Sequence, residues 1–180
     1  MIVTVIGSRA TPQRVLDKMV EVNRWLMKCG VTLRSGAAGG ADATVNQAYN
    51  ENINDNIPSK VPEVFIPWSS FGREIQGNVP YIVQGNNDAA SAIAQSIHPA
   101  WERCSRGARA LHTRNVCQIL GSDLETPSDV VLYWCKEKLG KPTGGTATAV
   151  NLALSYNITC INMLHEDWAE KFRKALGIPV

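Results

Sequence analysis

The sequence predicts an α/β protein: a three-layer, Rossmann-like parallel sheet with helices on both faces. Short β-branched segments alternate with segments of helical periodicity, the pattern of consecutive βαβ units. Three glycine- or serine-rich turns follow predicted strands or open predicted helices, as at the ligand-binding edge of such sheets. The chain has 180 residues, 44% of them hydrophobic and 19% charged, which favours a single domain over residues 1–180 with a buried core.

The first part of the chain predicts two βα units. Residues 2–6 are mostly β-branched and predict a strand. A helix begins near Pro12, because proline is well tolerated in a first helical turn, and Gly30 ends it. Residues 31–34 predict the second strand, and residues 41–50 the second helix. The apolar stripe of the first helix consists of Val15, Met19, Val22 and Leu26.

The next segments are less regular. Residues 51–60 are rich in Asn and Asp and predict a surface loop, and residues 63–66 predict a third strand. A loop insertion at about 67–88 shows no period and is punctuated by glycine and proline. A loop of that length inside a compact domain is typical of a functional segment or a lid.

The remaining chain continues the alternation. Helices are predicted over residues 89–97 and 100–120, with a proline between them that disfavours helix in the preceding residue. Strands follow at residues 130–134 and 158–163, on either side of a helix over residues 146–156. The last predicted helix has an apolar face formed by Trp168, Phe172 and Ala175.

Charge and cysteine content exclude several classes of protein. Eighteen Lys and Arg against sixteen Asp and Glu give a net charge of +2, too balanced for a basic nucleic-acid coat. No apolar run of about 18 residues predicts a membrane span, and the N-terminal apolar segment is too short for a signal peptide. Five scattered cysteines without a C-x-x-C pattern predict reduced thiols in the cytoplasm. We therefore expect no disulfide framework, no metal and no cofactor.

The three turns predict an anion-binding site at one edge of the sheet. Glycine lets a backbone approach a phosphate closely, and helix N-terminal amides direct partial positive charge towards it. The turns match neither G-x-G-x-x-G nor a P-loop, which disfavours dinucleotide and NTP-hydrolase functions. Their predicted ligand-binding residues are Gly7, Ser8 and Arg9; Ser35, Gly36, Gly39, Gly40 and Asp42; and Gly144, Gly145, Thr146 and Thr148.

Read together, these segments resemble the SLOG superfamily, which includes the DNA-processing protein DprA and the LOG phosphoribohydrolases. The likeness covers nearly the whole chain and is greatest to bacterial and phage proteins similar to YspA, often labelled DprA-like. The residues that carry it are Gly7-Ser8-Arg9, Ser35-Gly36 through Asp42, His98-Pro99-Ala100-Trp101, Leu111-His112, Arg114-Asn115, Leu120-Gly121 and Gly144-Gly145-Thr146.

The resemblance implies a protein that binds a nucleotide or a nucleotide-derived small molecule. It also implies a homodimer in the cytoplasm, or in the host cytoplasm if the chain is phage-encoded. Hydrolysis or transfer at the N-glycosidic bond of a nucleoside monophosphate is the expected activity. The alternatives are a non-catalytic module that binds or sequesters a nucleotide, and a DprA-like protein that binds single-stranded DNA in recombination.

The resemblance is weaker in the part of the LOG motif that contains the catalytic glutamate. LOG enzymes are similar to P-G-G-x-G-T-x-x-E, whereas this chain has Thr143 at the proline, Ala147 at the third glycine and Asn151 at the glutamate. Asparagine neither transfers protons nor stabilises an oxocarbenium ion by charge. The phosphate-binding half of the motif is therefore present, and the usual acid is missing.

Three other carboxylates are candidate catalytic residues. Glu74 lies in the long loop and is otherwise a solvated surface residue. Glu102 either faces the site or pairs with a neighbouring arginine. Asp42 either caps the helix that it precedes or holds a ribose hydroxyl.

Arginine and aromatic side chains complete the predicted site. Arg9 and Arg114 are expected to bind phosphate, because a guanidinium grips it in a bidentate manner. Asn115 and His112 lie on the same predicted helix as Arg114, and Trp101 is a candidate for stacking on a base. Arg103 and Arg106 could share the helix face of Arg114. Trp68, Phe71 and Trp134 are further stacking candidates. Core packing is the favoured interpretation for Trp25, Trp134 and Trp168.

Overall fold

A computed structural model of the chain describes residues 1–178, in which six parallel strands form one sheet in the order β4-β3-β2-β1-β5-β8. A two-residue antiparallel pair, β6 and β7, stands apart from it. The strands are β1 (Ile2–Gly7), β2 (Thr32–Ser35), β3 (Glu63–Ile66), β4 (Tyr81–Val83), β5 (Val130–Trp134), β6 (Glu137–Lys138), β7 (Lys141–Pro142) and β8 (Thr159–Asn162). The helices are α1 (Gln13–Lys28), α2 (Ala43–Asn54), α3 (Asp88–Ile97), α4 (Arg106–Leu120), α5 (Gly144–Ser155) and α6 (Trp168–Ala175).

Helices cover both faces of the sheet, which confirms the predicted three-layer Rossmann-like fold. One apolar core lies under α1, α2 and α6, and a second lies under α3, α4 and α5. Strand β5 supplies both cores with alternate residues: Leu132 belongs to the first core and Val131 to the second. A strand buried on both faces is apolar on both sides, which is why β5 is the continuous hydrophobic segment Val130–Trp134.

Strand β1 occupies the position where the strand order reverses. Strands β2, β3 and β4 follow it in order on one side, and β5 and β8 lie on the other. In open α/β sheets the crevice beyond the carboxyl ends of the strands at this point is the usual ligand site. The topology therefore places the turns after β1 and β2 at that crevice.

Several elements differ from the sequence prediction. Helix α2 continues to Asn54, so the predicted loop over residues 51–60 begins too early. The segment at 67–88 contains a 3-10 turn, Arg73–Ile75, and the edge strand β4. A three-residue strand preceded by a proline is too short to show a period in the sequence.

The predicted helix over residues 100–120 is also divided. Its first part is a separate 3-10 turn, Trp101–Arg103, and α4 begins only at Arg106. The break occurs because Ser105 is the N-cap residue of α4, and its hydroxyl accepts a hydrogen bond from the Ala108 amide. A serine cap satisfies an amide that the preceding turn leaves free.

A buried polar contact joins the central strand to α4. The Thr4 hydroxyl lies 2.6 Å from the Gln118 carbonyl oxygen and 2.7 Å from the Ser128 hydroxyl. This contact joins the last turn of α4 to β1.

Within residues 1–178, no helix is both long and apolar enough to cross a bilayer.

The burial of each leucine predicts how much its substitution by alanine lowers the free energy of unfolding. Leu132 is fully buried in β5, whereas Leu139 is 95% exposed in the β6–β7 connection. We expect Leu132→Ala to lower the free energy of unfolding by about 2–5 kcal/mol, the usual cost of a cavity in a core. Leu139→Ala, the matched control, should change it by less than about 0.5 kcal/mol. Urea unfolding measures both; equal losses in the two variants would contradict the described core.

Candidate functional site

A cavity of about 390 Å³ lies beyond the carboxyl end of β1, between the turn after that strand, α4 and the N-terminus of α5. The structure brings nine of the predicted ligand-binding residues to its wall. They are Gly7, Ser8, Arg9, Asp42, His112, Arg114, Asn115, Gly145 and Thr146. These residues come from four segments that are far apart in the sequence.

The turns after β1 and β2 pack directly on each other. A Cβ on Gly7 would lie 2.5 Å from the Trp134 carbonyl oxygen and 2.8 Å from the Ala41 side chain. Gly40 has a φ of +84°, and a Cβ there would lie 2.5 Å from the Ser8 carbonyl oxygen. Gly7 and Gly40 therefore allow the two loops to pack closely together, a structural role that does not require contact with a ligand.

The Asp42 carboxylate holds the β1 turn, α2 and α4 together. One oxygen, Oδ1, accepts a hydrogen bond of 3.2 Å from the Gly7 amide. The other, Oδ2, accepts from Nη1 of Arg114 at 3.3 Å and from Nε2 of Gln118 at 3.4 Å. Asp42 is the N-cap residue of α2 but makes no side-chain hydrogen bond to that helix. The side chain satisfies an amide of the neighbouring turn instead.

Burial governs the protonation of Asp42. Loss of solvent raises the pKa of its carboxyl above the ordinary value, and the charge of Arg114 opposes this rise. Asp42 is the only carboxylate among the described residues that line the cavity. It is thus the one predicted catalytic acid that the structure places there.

Arg114 is buried and its position depends on the absence of a side chain at Gly36. A Cβ on Gly36 would overlap Nη1 of Arg114, so only glycine leaves room for the guanidinium. The ring of Phe71 lies 5.6 Å from the Arg114 Cζ atom, a cation–π distance. The Nε of Arg114 is buried and has no hydrogen-bond partner among the described residues. One donor of the guanidinium is thus left unused by the protein.

Arg9 and the start of α5 provide the accessible positive charge. Arg9 is exposed on the β1 turn and pairs with no carboxylate within residues 1–178. The N-cap residue Thr143 uses its hydroxyl to donate to the Lys136 carbonyl oxygen, so the first amides of α5 have no side-chain cap. Gly145 and Thr146, in that first turn, line the cavity. Free amides and the helix dipole favour an anion here.

His112 lies on the α4 wall of the cavity. Burial, His98 and Arg114 together lower the pKa of its imidazole, so the ring is neutral near pH 7. His112 therefore contributes no positive charge to the cavity at that pH.

The other predicted binding residues do not line the cavity. Ser35 is buried, and its hydroxyl lies 2.8 Å from the Val5 carbonyl oxygen, so it joins β2 to β1. Trp101 is buried in the second core, with the guanidinium of Arg109 5.5 Å above its ring. The rest of this group are Gly36, Gly39, Gly40, Gly144 and Thr148.

Glu74 and Glu102 also lie away from the cavity lining. Glu74 is exposed in the 3-10 turn of the long segment. The Glu102 side chain is 80% exposed and lies 3.5 Å from Nη2 of Arg109, which agrees with the pairing alternative. Neither acid reaches the residues around Asp42.

The expectations for the basic face and the aromatics are partly corrected. Arg106 is exposed while Arg114 is buried, so the two do not share one helix face, and Arg103 precedes α4. Trp134 is buried in the first core, but Trp25 is 47% exposed. The core interpretation is therefore wrong for Trp25, because that position faces outward on α1.

Sequence reasoning missed several lining residues. Gln118 donates to Asp42, and α4 presents a stripe of four residues, 108, 111, 115 and 118, to the cavity. Spacings of three, four and three residues are those of one helix face. The prediction of Asn115 as a binding residue therefore implied that residues 108, 111 and 118 face the same side. The other missed residues are Ile6, Ala38, Thr143 and Ala149.

No protein-family model and no curated protein matches the chain, whereas solved structures do. The Moco carrier protein of Chlamydomonas rheinhardtii is 17% identical, with a TM-score of 0.50 over 97% of this chain and 82% of that one. DNA processing protein A from Helicobacter pylori, described by its single-stranded DNA binding mode, is 15% identical, with a TM-score of 0.52 over 99% of this chain and 74% of that one. The chain therefore shares the Rossmann-like fold of these two proteins, which confirms the predicted DprA-like fold.

The contact between Gly36 and Arg114 predicts a selective effect of alanine. Gly36→Ala should displace the guanidinium and lower the free energy of unfolding by about 1–3 kcal/mol, the usual cost of overpacking. Gly39→Ala is the matched control, because a Cβ at the exposed Gly39 meets no atom within 4 Å. Denaturant unfolding compares the two variants. Equal stabilities would show that Arg114 does not need the space at Gly36.

Proposed function

We propose that this protein binds a phosphate-bearing nucleotide or nucleotide-derived small molecule in the cavity beyond β1. The observation that carries the proposal is the convergence of two kinds of unused donor on one cavity. These are the exposed guanidinium of Arg9 and the uncapped amides at the start of α5. Each suits a phosphate oxygen.

The charge arrangement favours one phosphate group. Asp42 offsets the charge of Arg114 within the wall, and His112 is neutral near pH 7, so the free charge at the cavity belongs to Arg9. A volume of about 390 Å³ is within the range of small-molecule sites, about 300–1,000 Å³. A nucleoside monophosphate fits both the size and the charge.

Single-stranded DNA is the alternative partner. It is favoured by the fold shared with DNA processing protein A, and disfavoured by a net charge of only +2. Binding to a nucleic-acid backbone requires many phosphate contacts and weakens steeply with salt. A single-stranded oligonucleotide, titrated at low and moderate salt, therefore belongs in the same experiment.

Arg9 provides the direct test of phosphate binding. We expect wild-type protein to bind a nucleoside monophosphate more tightly than the matching nucleoside in isothermal titration calorimetry. Arg9→Ala should weaken nucleotide binding by about 10- to 100-fold, the value of one charge-assisted hydrogen bond, and leave the nucleoside unchanged.

Arg14→Ala is the matched control, since Arg14 is exposed on α1 and does not line the cavity. Equal affinity for nucleotide and nucleoside would contradict the proposal. Oligonucleotide binding that is tighter than mononucleotide binding, and strongly salt-dependent, would favour the DNA alternative.

Cleavage of the N-glycosidic bond is a second candidate function, and the position of Asp42 favours it. The carboxylate accepts three hydrogen bonds, an arrangement of its charged form. A carboxylate next to a ribose stabilises the positive charge that develops on the sugar as the base departs. The LOG motif has a glutamate at the position of Asn151, which is exposed on α5 in this chain. Asp42 would take the role of that glutamate.

Base release separates catalysis from binding. We expect wild-type protein, incubated with a panel of nucleoside monophosphates, to liberate free base detectable by chromatography. Activity should fall as pH falls through the raised pKa of Asp42, because protonation removes the stabilising charge. Asp42→Asn should abolish release, while Glu74→Gln and Glu102→Gln retain it. A protein that binds nucleotide and releases no base is a binding module only.

A further inference from the structure

Three potential metal ligands converge beside the cavity: the side chains of His98, Cys104 and His112. Their ligand atoms all lie within 4.8 Å of one another. The Cys104 Sγ is 3.8 Å from Nδ1 and 3.9 Å from Nε2 of His98, and the two imidazole rings are 4.3 Å apart between centroids. Each residue is half-buried.

The backbone holds the three residues on separate elements. His98 is the extended residue that ends α3, and Cys104 is the extended residue that ends the 3-10 turn Trp101–Arg103. His112 lies in the middle of α4. The cluster therefore depends on packing among three elements, and its shape does not rely on one flexible loop.

The spacing of the ligand atoms fits a tetrahedral zinc ion. Zinc–sulfur and zinc–nitrogen bonds of about 2.3 and 2.0–2.1 Å place the two ligand atoms about 3.6 Å apart. The Cys104 Sγ lies 3.8 and 3.9 Å from the two nitrogens of the His98 ring, so whichever nitrogen binds is within a few tenths of an ångström of this spacing. The ligand atom of His112 lies within 4.8 Å of the other two, and small side-chain rotations would bring all three to bonding distance of one ion. Thiolate with imidazole is a donor set that suits zinc.

A second observation points to a ligand at this cluster. The Nδ1 atom of His112 is buried and has no hydrogen-bond partner among the described residues. The Nδ1 atom of His98 accepts one long hydrogen bond, 3.2 Å, from the Ala100 amide. A metal bound to His98 would replace that hydrogen bond, and a metal bound to Nδ1 of His112 would give this buried atom its partner.

The neighbouring charges are compatible with a bound cation. Arg109 precedes His112 by three residues on α4, lies over the Trp101 ring and pairs with Glu102. Arg114 is offset by Asp42. The cluster has no carboxylate, so the negative charge that balances the metal comes from the Cys104 thiolate.

We propose that His98, Cys104 and His112 bind one zinc ion beside the cavity, with a fourth position left for water or another donor. The proposal rests on the cluster alone and stands independently of nucleotide binding. Because His112 also lines the cavity, the ion would lie at its edge. The intervals of five and seven residues between the ligands match no zinc motif, which is why the sequence predicts no metal.

Cobalt substitution tests this site in the full-length, chelator-treated and reduced protein. We expect one Co²⁺ per chain, with a thiolate-to-cobalt charge-transfer band and the visible bands of tetrahedral cobalt, both removed by added Zn²⁺. Cys104→Ser should abolish the charge-transfer band and weaken binding by about 100-fold or more, since even outer-shell changes cost about 10- to 100-fold. His112→Gln should weaken it similarly.

The chain offers matched controls for both ligand types. Cys29→Ser changes an exposed thiol, and His165→Gln changes the one histidine outside the cluster, so both variants should bind cobalt as wild type does. Circular dichroism establishes that each variant is folded; if His112→Gln is not, Cys104→Ser decides. A cobalt complex without a thiolate band, or equal binding by Cys104→Ser and Cys29→Ser, would overturn the proposal.

Discussion

The buried ion pair between Asp42 and Arg114 is the contact on which the geometry of the cavity depends. It joins the turn that follows β2 to the middle of α4, and through the Gly7 amide it also holds the turn that follows β1. Removing one partner of such a pair leaves an uncompensated buried charge, which typically costs about 3–5 kcal/mol. Gly36 leaves room for the guanidinium, and Gln118 supplies a further donor to the carboxylate.

The same pair determines which positive charges a ligand can use. Arg114 is largely committed to the protein, whereas Arg9 is exposed on the opposite turn. The first turn of α5 adds backbone amides rather than a formal charge. A site built this way attracts one anionic group strongly and has little attraction for an extended polyanion. This division of charge is the physical reason to favour a small ligand.

Helix α4 gives the molecule two chemically different regions that share a wall. Asn115 and Gln118 face the proposed nucleotide cavity, while His112 also meets His98 and Cys104 at the end of α3 and its following turn. The short serine-capped break before Arg106 separates Cys104 from α4, and Cys104 lies close to the two histidines.

The sequence by itself determined the α/β class, the strands that form the sheet centre and the turns at its ligand-binding edge, because periodicity and glycine placement are local properties. It did not reveal β4, whose three residues are defined by pairing with β3, or the break before α4. Within the site, Arg9 and Asp42 could be chosen from their turns. Only the tertiary structure decided three contacts. Gly36 accommodates Arg114, and Glu102 pairs with Arg109 away from the cavity. His98, Cys104 and His112 come together beside it. These contacts join residues on different elements, whose distances are set by packing between helices and sheet.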